Sequence, residues 1–247
     1  MSKELKHPHR RRTKIVATLG PATDDANVLE ELIDAGSDVL RINFSHGSTE
    51  EQHERVRVVR ETAKRLGTNV AIMGDLQGPK IRIESFADGS VVLERGQDFV
   101  LDTAMDPACG DSAVVGVAYD QLVEDVSPGD VLLLDDGQIV LEVNEAKATR
   151  VSCSVLEGGT LADHKGLNKS GGGLSAPALT DKDRSDIKLA ASLGFDFVSV
   201  SFARKGKDIR EARELLREAG GHAHIVAKIE RAEAVKNINK IIAASDV

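Results

Sequence analysis

His224-Ile225-Val226-Ala227-Lys228-Ile229-Glu230-Arg231 begins as a short apolar run and ends abruptly in charge. Its first half reads as a strand buried on both faces, the kind found in parallel sheets. If the strand runs on through Lys228 and Glu230, their two-residue spacing points both side chains to the same side. A cation and a carboxylate at the carboxyl end of a buried strand are costly to desolvate without a partner or a task. Two readings stand for the pair: an ion pair where a strand surfaces, or catalytic groups.

The chain before it keeps the same rhythm. Thr13 to Leu19 (TKIVATL), closed by Gly20-Pro21, reads as strand and turn. Thr23 or Asp24 is expected to cap a helix over Val28, Leu29, Leu32 and Ile33 that ends at Gly36. Asp38 to Phe44 (DVLRINF) is the second strand. Ser48 or Thr49 then opens a charged helix to about Leu66, with Gly67 as its stop, and Asn69 to Leu76 (NVAIMGDL) is the third strand. After Pro177, Thr180-Asp181 caps a helix through Leu193 and Gly194, and Phe195 to Phe202 (FDFVSVSF) is the fourth strand. A helix from about Lys207 to Ala219 leads into the opening stretch, and Arg231 to Ala243 is expected to be the fifth helix. Such alternation implies parallel βα units with right-handed crossovers. A weak repeat marks the strand starts: Gly36-Ser37-Asp38-Val39, Gly194-Phe195-Asp196-Phe197 and Ala244-Ser245-Asp246-Val247. The third copy would place the last residues just inside a sixth strand.

Between Glu84 and Ala176 the rhythm breaks into short runs separated by Asp88-Gly89, Arg95-Gly96, Pro128-Gly129-Asp130, Asp136-Gly137 and Gly158-Gly159. Val91 to Leu93, Asp98 to Leu101, Val131 to Leu134, Ile139 to Val143 and Thr149 to Val155 read as strands of a small β-domain. Gly171-Gly172-Gly173 reads as its exit hinge, since no strand-to-helix context makes it a phosphate loop. The expected organisation is a basic tail over 1–12, barrel units over 13–83, an inserted lid over 84–176, and further barrel units over 177–247. The fold class is α/β: a partial (β/α)8 TIM barrel of about five βα units with an inserted small all-β lid domain. An open doubly wound sheet is the alternative. The barrel is favoured because polar or charged groups sit at the carboxyl end of strand after strand, where barrel active sites are built.

Composition narrows the function classes. The 247 residues are 41% apolar and 29% charged, as in an ordinary globular protein. No apolar run approaches membrane-spanning length, and the polar N-terminus is no secretory signal. His7, His9 and Arg10-Arg11-Arg12 could form a nucleic-acid patch or a solvated tail; a net charge of -8 with six Phe and one Tyr argues against a nucleic-acid surface. Cys109 and Cys153 lack metal or redox spacing and suit a reducing, cytoplasmic compartment.

The strand-end groups are Arg41, Asn43, Ser45 and His46, then Asp75, Lys80 and Arg82, then Ser201, then Lys228 and Glu230. Several cations suit phosphate, while the carboxylates and hard oxygen donors suit Mg²⁺ and a monovalent ion. No Cys/His cluster and no Ser-His-Asp spacing accompanies them. The chemistry best matched is phosphoryl transfer, in which the protein positions groups and neutralises charge.

Four segments in register carry a resemblance: TKIVATLGP from Thr13, RINFSHG from Arg41, DLQGPKIR from Asp75 and KIER from Lys228. Together with the β-insert after the third strand, they resemble pyruvate kinase, and the Asp-Leu-Gln-Gly-Pro-Lys form is similar to the type II bacterial enzymes. The resemblance covers nearly the whole chain after the basic tail. It implies phosphoryl transfer from phosphoenolpyruvate to ADP, giving pyruvate and ATP, in glycolysis. It implies Glu230 as a ligand of Mg²⁺ (or Mn²⁺), Lys228 as the group stabilising charge on the phosphoryl group and enolate, and Arg41 as a phosphoryl contact. His46, Arg82 and Lys165 would contact nucleotide phosphates, and Asn43, Ser45 and Asp75 match positions that bind K⁺. Asp136 would either reach the cleft under a closed lid or serve as a plain turn carboxylate. The partners implied are phosphoenolpyruvate and ADP or ATP, with no nucleic acid and no membrane, and the full-length family is usually homotetrameric.

Two departures from the family pattern shape the expectations. Many K⁺-dependent members carry Glu where Lys80 stands, so its fixed ammonium is expected to make K⁺ dispensable. The sixth-strand Ala-Arg-Gly-Asp segment, a later Thr and the C-terminal domain are not in this sequence. The chain is therefore expected to be an N-terminal portion, poorly active or inactive by itself. The competing reading is a non-catalytic truncated remnant or nucleotide-binding module. A phosphoenolpyruvate- or pyruvate-handling lyase is disfavoured by the insert and the Gly-Pro-Lys-Ile-Arg segment, since a lyase needs no nucleotide-phosphate site.

Overall fold

The computed structural model describes residues 12–247. The basic stretch with His7, His9 and Arg10-Arg11 lies outside the described residues. The chain divides into two compact units. One runs up to Gly78 and resumes at Ala178–Glu230 and Ala234–Val247; the other comprises Pro79–Pro177 and Arg231–Glu233.

In chain order the first unit opens with β1 (Val16–Thr18), α1 (Ala26–Asp34), β2 (Val39–Asn43), α2 (Thr49–Leu66) and β3 (Ala71–Asp75). The second unit carries β4 (Ser90–Leu93), β5 (Asp98–Asp102), β6 (Val114–Gly116), the short α3 (Leu122–Asp125), β7 (Val131–Leu134), β8 (Ile139–Lys147), β9 (Arg150–Glu157), β10 (Gly159–Ala162) and β11 (Leu167–Lys169). The chain continues with α4 (Asp181–Ser192), β12 (Phe197–Val200), α5 (Gly206–Glu218), β13 (His224–Ala227), α6 (Ala232–Lys236) and α7 (Ile238–Ile242).

The first unit's strands pair in parallel in the order β1-β2-β3-β12-β13. That order never reverses. A doubly wound sheet turns back at a switch point, whereas a (β/α)8 barrel lays each new strand beside the last. The unit is therefore part of such a barrel, and the open-sheet alternative is removed. Its core lies on one face of the strands: Leu40, Ile42, Ile72, Val198, Val200 and Ile225, which pleat and register set together, are almost wholly buried. Each such side chain contributes about 1.5–3 kcal/mol relative to exposure. The alternate residues Arg41, Asn43 and Val226 are only half-buried and His224 is exposed, so β13 is not buried on both faces as its apolar run suggested.

Helix ends follow local chemistry. Ser48 and Glu51 cap α2 reciprocally, with Ser48 N–H donating to Glu51 Oε2 at 2.7 Å and Glu51 N–H to Ser48 Oγ at 3.2 Å. Gly67, at φ 65°, stops the helix. Thr180 and Asp183 cap α4 in the same way. Other boundaries depart from expectation. Asp25, not Thr23 or Asp24, caps α1, because Pro21–Thr23 forms a 3-10 turn of its own. The fifth helix is two short ones, α6 and α7, broken at Asn237, whose amide donates to the Arg204 carbonyl at 3.1 Å instead of facing solvent.

The repeat at the strand starts proves to be a staple. Asp38 donates its N–H to the Ile15 carbonyl at 2.9 Å and accepts the Ile15 N–H on Oδ2 at 2.8 Å. Asp196 does the same with Ile72, at 3.0 and 2.7 Å, and Asp246 with Ile225, at 2.9 and 2.7 Å. A cation backs each carboxylate: Lys14 at 3.3 Å, Arg60 at 2.9 Å and Arg213 at 2.6 Å. Val247 accepts the Ala227 N–H at 3.1 Å, so the last residues join the ladder beside β13, where a sixth strand is expected.

The second unit is built on a six-stranded sheet of order β11-β7-β8-β9-β5-β6, with β4 and β10 as a separate pair. Its own core includes Phe99, Leu101, Leu132, Leu134, Leu141 and Val151. The five strands read from sequence are present. β6, β10 and β11 were not anticipated, being only three or four residues long. Gly171, Gly172 and Gly173 all lie at positive φ, and the N–H of Gly173 is held by Glu233 Oε1 at 2.7 Å. The expected hinge is a clasped turn.

Candidate active site

Three strand ends of the first unit converge on one buried carboxylate. Asp75, the last residue of β3, is 3% exposed, a position that is costly for a charge unless it is paired. Arg41, on β2, donates to its Oδ2 through Nε at 2.8 Å and through Nη2 as well, and its Nη1 reaches Thr18 Oγ1 on β1 at 2.9 Å. Ser199, on β12, donates to Asp75 Oδ1 at 2.8 Å. Lys228, just past β13, stands 3.3 Å from Oδ1. Burial alone would raise the Asp75 pKa, but the Ser199 hydrogen bond, the Arg41 guanidinium and the Lys228 charge hold it below the ordinary carboxylate value.

Lys228 is the junction of the site. Its ammonium donates to Ser201 Oγ at 2.9 Å and lies 3.2 Å from Glu230 Oε1. Lys228 and Glu230 do meet on one side, though not through strand alternation. β13 ends at Ala227, Lys228 N–H makes a last ladder bond to the Val200 carbonyl at 3.1 Å, and β12 then turns away. The pair belongs to a loop fixed by side-chain contacts. Nearby, Asn43 Oδ1 accepts the Ser45 N–H at 3.0 Å, closing a local turn, and His46 is exposed beyond it.

Lys80, Arg82 and Lys165 belong to the second unit. There Arg82 and Gly166 form an antiparallel bridge and the Ile83 N–H reaches the Lys165 carbonyl at 3.0 Å, which sets Arg82 and Lys165 on adjoining segments. Arg82 Nη1 donates to the His164 carbonyl at 2.7 Å, and Lys165 pairs with Asp135 at 2.9 Å. Asp135 and Asp136 both lie in the left-handed region, at φ 49° and 55°, and Asp136 is exposed in that tight turn.

Two participants escaped sequence reading. Ser199 shares a strand face with Ser201, and the i, i+2 spacing in Phe195–Phe202 was the available signal. Thr18 gave none, as a Thr in a β-branched run is ordinary strand composition.

The arrangement provides two cations held by one buried carboxylate and, beside them, a second carboxylate, Glu230, whose side chain is 34% exposed. Among the described residues, no group of three or more His, Cys, Asp and Glu is set to hold a metal ion. Mg²⁺ does not require one: it is held by one or two carboxylates together with substrate oxygens and water. Glu230, a hard oxygen donor with two of its four lone-pair sites engaged, fits that use. Among the described residues no helix is long and apolar enough to cross a membrane.

Comparison with known proteins agrees with this architecture. A family model described as pyruvate kinase, barrel domain, matches residues 10–247. Pyruvate kinase II of Salmonella typhimurium is 55% identical over 240 residues, covering 96% of this chain and 50% of the relative. Pyruvate kinase of Haemophilus influenzae is 52% identical over 240 residues, with the same coverage of each. That of Geobacillus stearothermophilus is 42% identical over 240 residues, covering 96% of this chain and 40% of the relative. The chain spans about half the length, or less, of these curated relatives.

Proposed function

The chain belongs to the pyruvate kinase family, and on that premise we propose that the full-length protein transfers the phosphoryl group of phosphoenolpyruvate to ADP, giving pyruvate and ATP. The observation that carries this reading is the double clamp of Asp75 on Arg41 and Lys228. Two cations fixed side by side suit an incoming phosphoryl group, and because they are already held, little reorganisation is needed when charge develops. Arg41 orients the phosphoryl oxygens. Lys228 neutralises charge on that group and on the enolate oxygen left behind.

Glu230 is the carboxylate we assign to Mg²⁺ or Mn²⁺, which when bound supplies Lewis-acid neutralisation of phosphoryl and enolate oxygens. Asn43, Ser45 and Asp75 are assigned to a monovalent ion, and His46, Arg82 and Lys165 to nucleotide phosphates, following the family resemblance. Lys80 stands where K⁺-dependent members carry Glu. Its ammonium is taken to supply the charge that K⁺ otherwise brings, so activity is expected to persist when K⁺ is replaced by an inert cation; a fall to background would show that Lys80 does not replace the ion.

The test is pyruvate formation from phosphoenolpyruvate and ADP by the full-length protein with Mg²⁺ present. Lys228→Met and Glu230→Gln are each expected to lower kcat by roughly 10²–10³-fold, the usual cost of losing one preorganised electrostatic group. Nucleotide binding without pyruvate formation by the unaltered protein would overturn the proposal in favour of a binding module.

A further inference from the structure

Phe202 adopts a backbone conformation that its side chain disfavours. Its φ is 57°, in the left-handed region that bulky residues enter only at a cost, and such strain concentrates at functional sites. Its surroundings are shaped to permit it. A Cβ on Gly78 would stand 2.8 Å from Phe202 Cδ2 and 3.1 Å from Ser201 Cβ, so the ring rests where only glycine leaves room. Gly78 is held from behind: its N–H donates to Asp183 Oδ1 at 3.0 Å, while Asp183 Oδ2 takes the Thr180 N–H at 2.8 Å.

The turn at Phe202 carries the chain out of β12 and leaves the Phe202 N–H directed at Glu230 Oε2, 3.2 Å away. The other oxygen, Oε1, lies 3.2 Å from Lys228 Nζ. Each oxygen of Glu230 is thus held by one donor from a different strand end, which fixes the plane of the carboxylate and leaves a lone-pair site on each oxygen.

We propose that Phe202 is a positioning residue: its left-handed backbone, made possible by Gly78, holds Glu230 in the orientation that receives a divalent cation. This rests on the assignment of Glu230 as the metal ligand above. Partners that orient a metal ligand typically change affinity by about 10- to 100-fold when lost. The backbone conformation, not the ring, is the operative feature, and residue types separate the two. Asn tolerates the left-handed region; a β-branched residue does not.

The experiment is Mn²⁺ binding to the full chain, read by the loss of the free-ion electron paramagnetic resonance signal, with circular dichroism to check folding. Glu230→Gln is expected to abolish the site. Phe202→Val is expected to weaken binding by about 10- to 100-fold. Phe202→Asn, which keeps the N–H and the backbone path, is expected to stay within about threefold of the unaltered chain, since Asn enters the left-handed region readily. If Phe202→Val does not fold, Phe202→Ala replaces it and should fall between the other two. Equal binding by the Val and Asn variants, or by the Ala and Asn variants, overturns the proposal. Mn²⁺ binding that survives Glu230→Gln overturns the metal assignment itself, so the two failures are distinguishable.

Discussion

The carboxylate of Asp75, at the end of β3, closes on the guanidinium of Arg41, on β2, with Nε donating at 2.8 Å. Lys228 joins the same carboxylate, its ammonium 3.3 Å from Oδ1, so one buried anion holds two cations that would otherwise repel each other. Asp75→Asn removes the charge and keeps the shape. It should destabilise the first unit by about 1–3 kcal/mol, the range for leaving charged partners unsatisfied. The sign with pH follows from the lowered Asp75 pKa. The stabilisation is complete above the ordinary carboxylate pKa of about 3.9 and is lost as pH falls through the lower folded value. Urea titrations below about pH 4 should therefore show a shallower acid limb for Asp75→Asn than for the unaltered chain.

The staples at the strand starts make a second prediction. Asp196→Ala removes the acceptor for the Ile72 N–H and the partner of Arg60. The expected loss is about 1–3 kcal/mol, because a backbone donor is left unmet at the start of a central strand. Lys14→Ala, which removes only the exposed cation of the equivalent staple, should cost less than about 1 kcal/mol. Equal losses in the two variants by chemical denaturation would mean that the backbone contact is not the operative part.

Gly74 lies in β3 under the stacked rings of Phe44 and Phe195, whose centroids are 5.7 Å apart. A Cβ there would sit 2.4 Å from Phe44 Cε2 and 3.1 Å from two Phe195 ring atoms. Gly74→Ala should therefore destabilise the chain by about 1–3 kcal/mol through overpacking. A neutral or stabilising result in thermal unfolding would show that the rings shift freely.

The two thiols should behave differently. Cys109 is exposed, whereas Cys153 is buried in the second unit, and burial pushes its thiol up to about 12. Intact-mass analysis after iodoacetamide at neutral pH should show one alkylation under native conditions and two after unfolding. The stability sign is opposite to that of Asp75. The folded state retains the Cys153 proton above the ordinary thiol pKa, so its contribution declines as pH rises from about 8.5.

Much of the fold was legible because its signals are local. The Ser48–Glu51 box, the Gly67 stop and the apolar runs around Leu40, Ile72 and Val198 depend on neighbours in sequence. The repeated Asp at the strand starts was visible as a pattern. Its purpose was not, because the partner N–H comes from the adjacent strand, in one case 124 residues away. The charged groups Arg41, Asp75, Lys228 and Glu230 stood out against apolar runs. Ser199 and Thr18, ordinary strand residues by composition, became significant only through what they touch. Phe202 matters through its backbone, and neither period nor charge announces a left-handed residue.

Phosphoenolpyruvate binding by isothermal titration calorimetry, using the full-length protein with Mg²⁺, asks whether the cations clamped by Asp75 receive the phosphoryl group. Lys228→Met should weaken binding at least about tenfold, an effect of about 1.4 kcal/mol. Lys188→Met, which removes an exposed lysine of α4, should bind as the unaltered protein does. Equal affinity of the Lys228→Met and unaltered proteins would contradict the account.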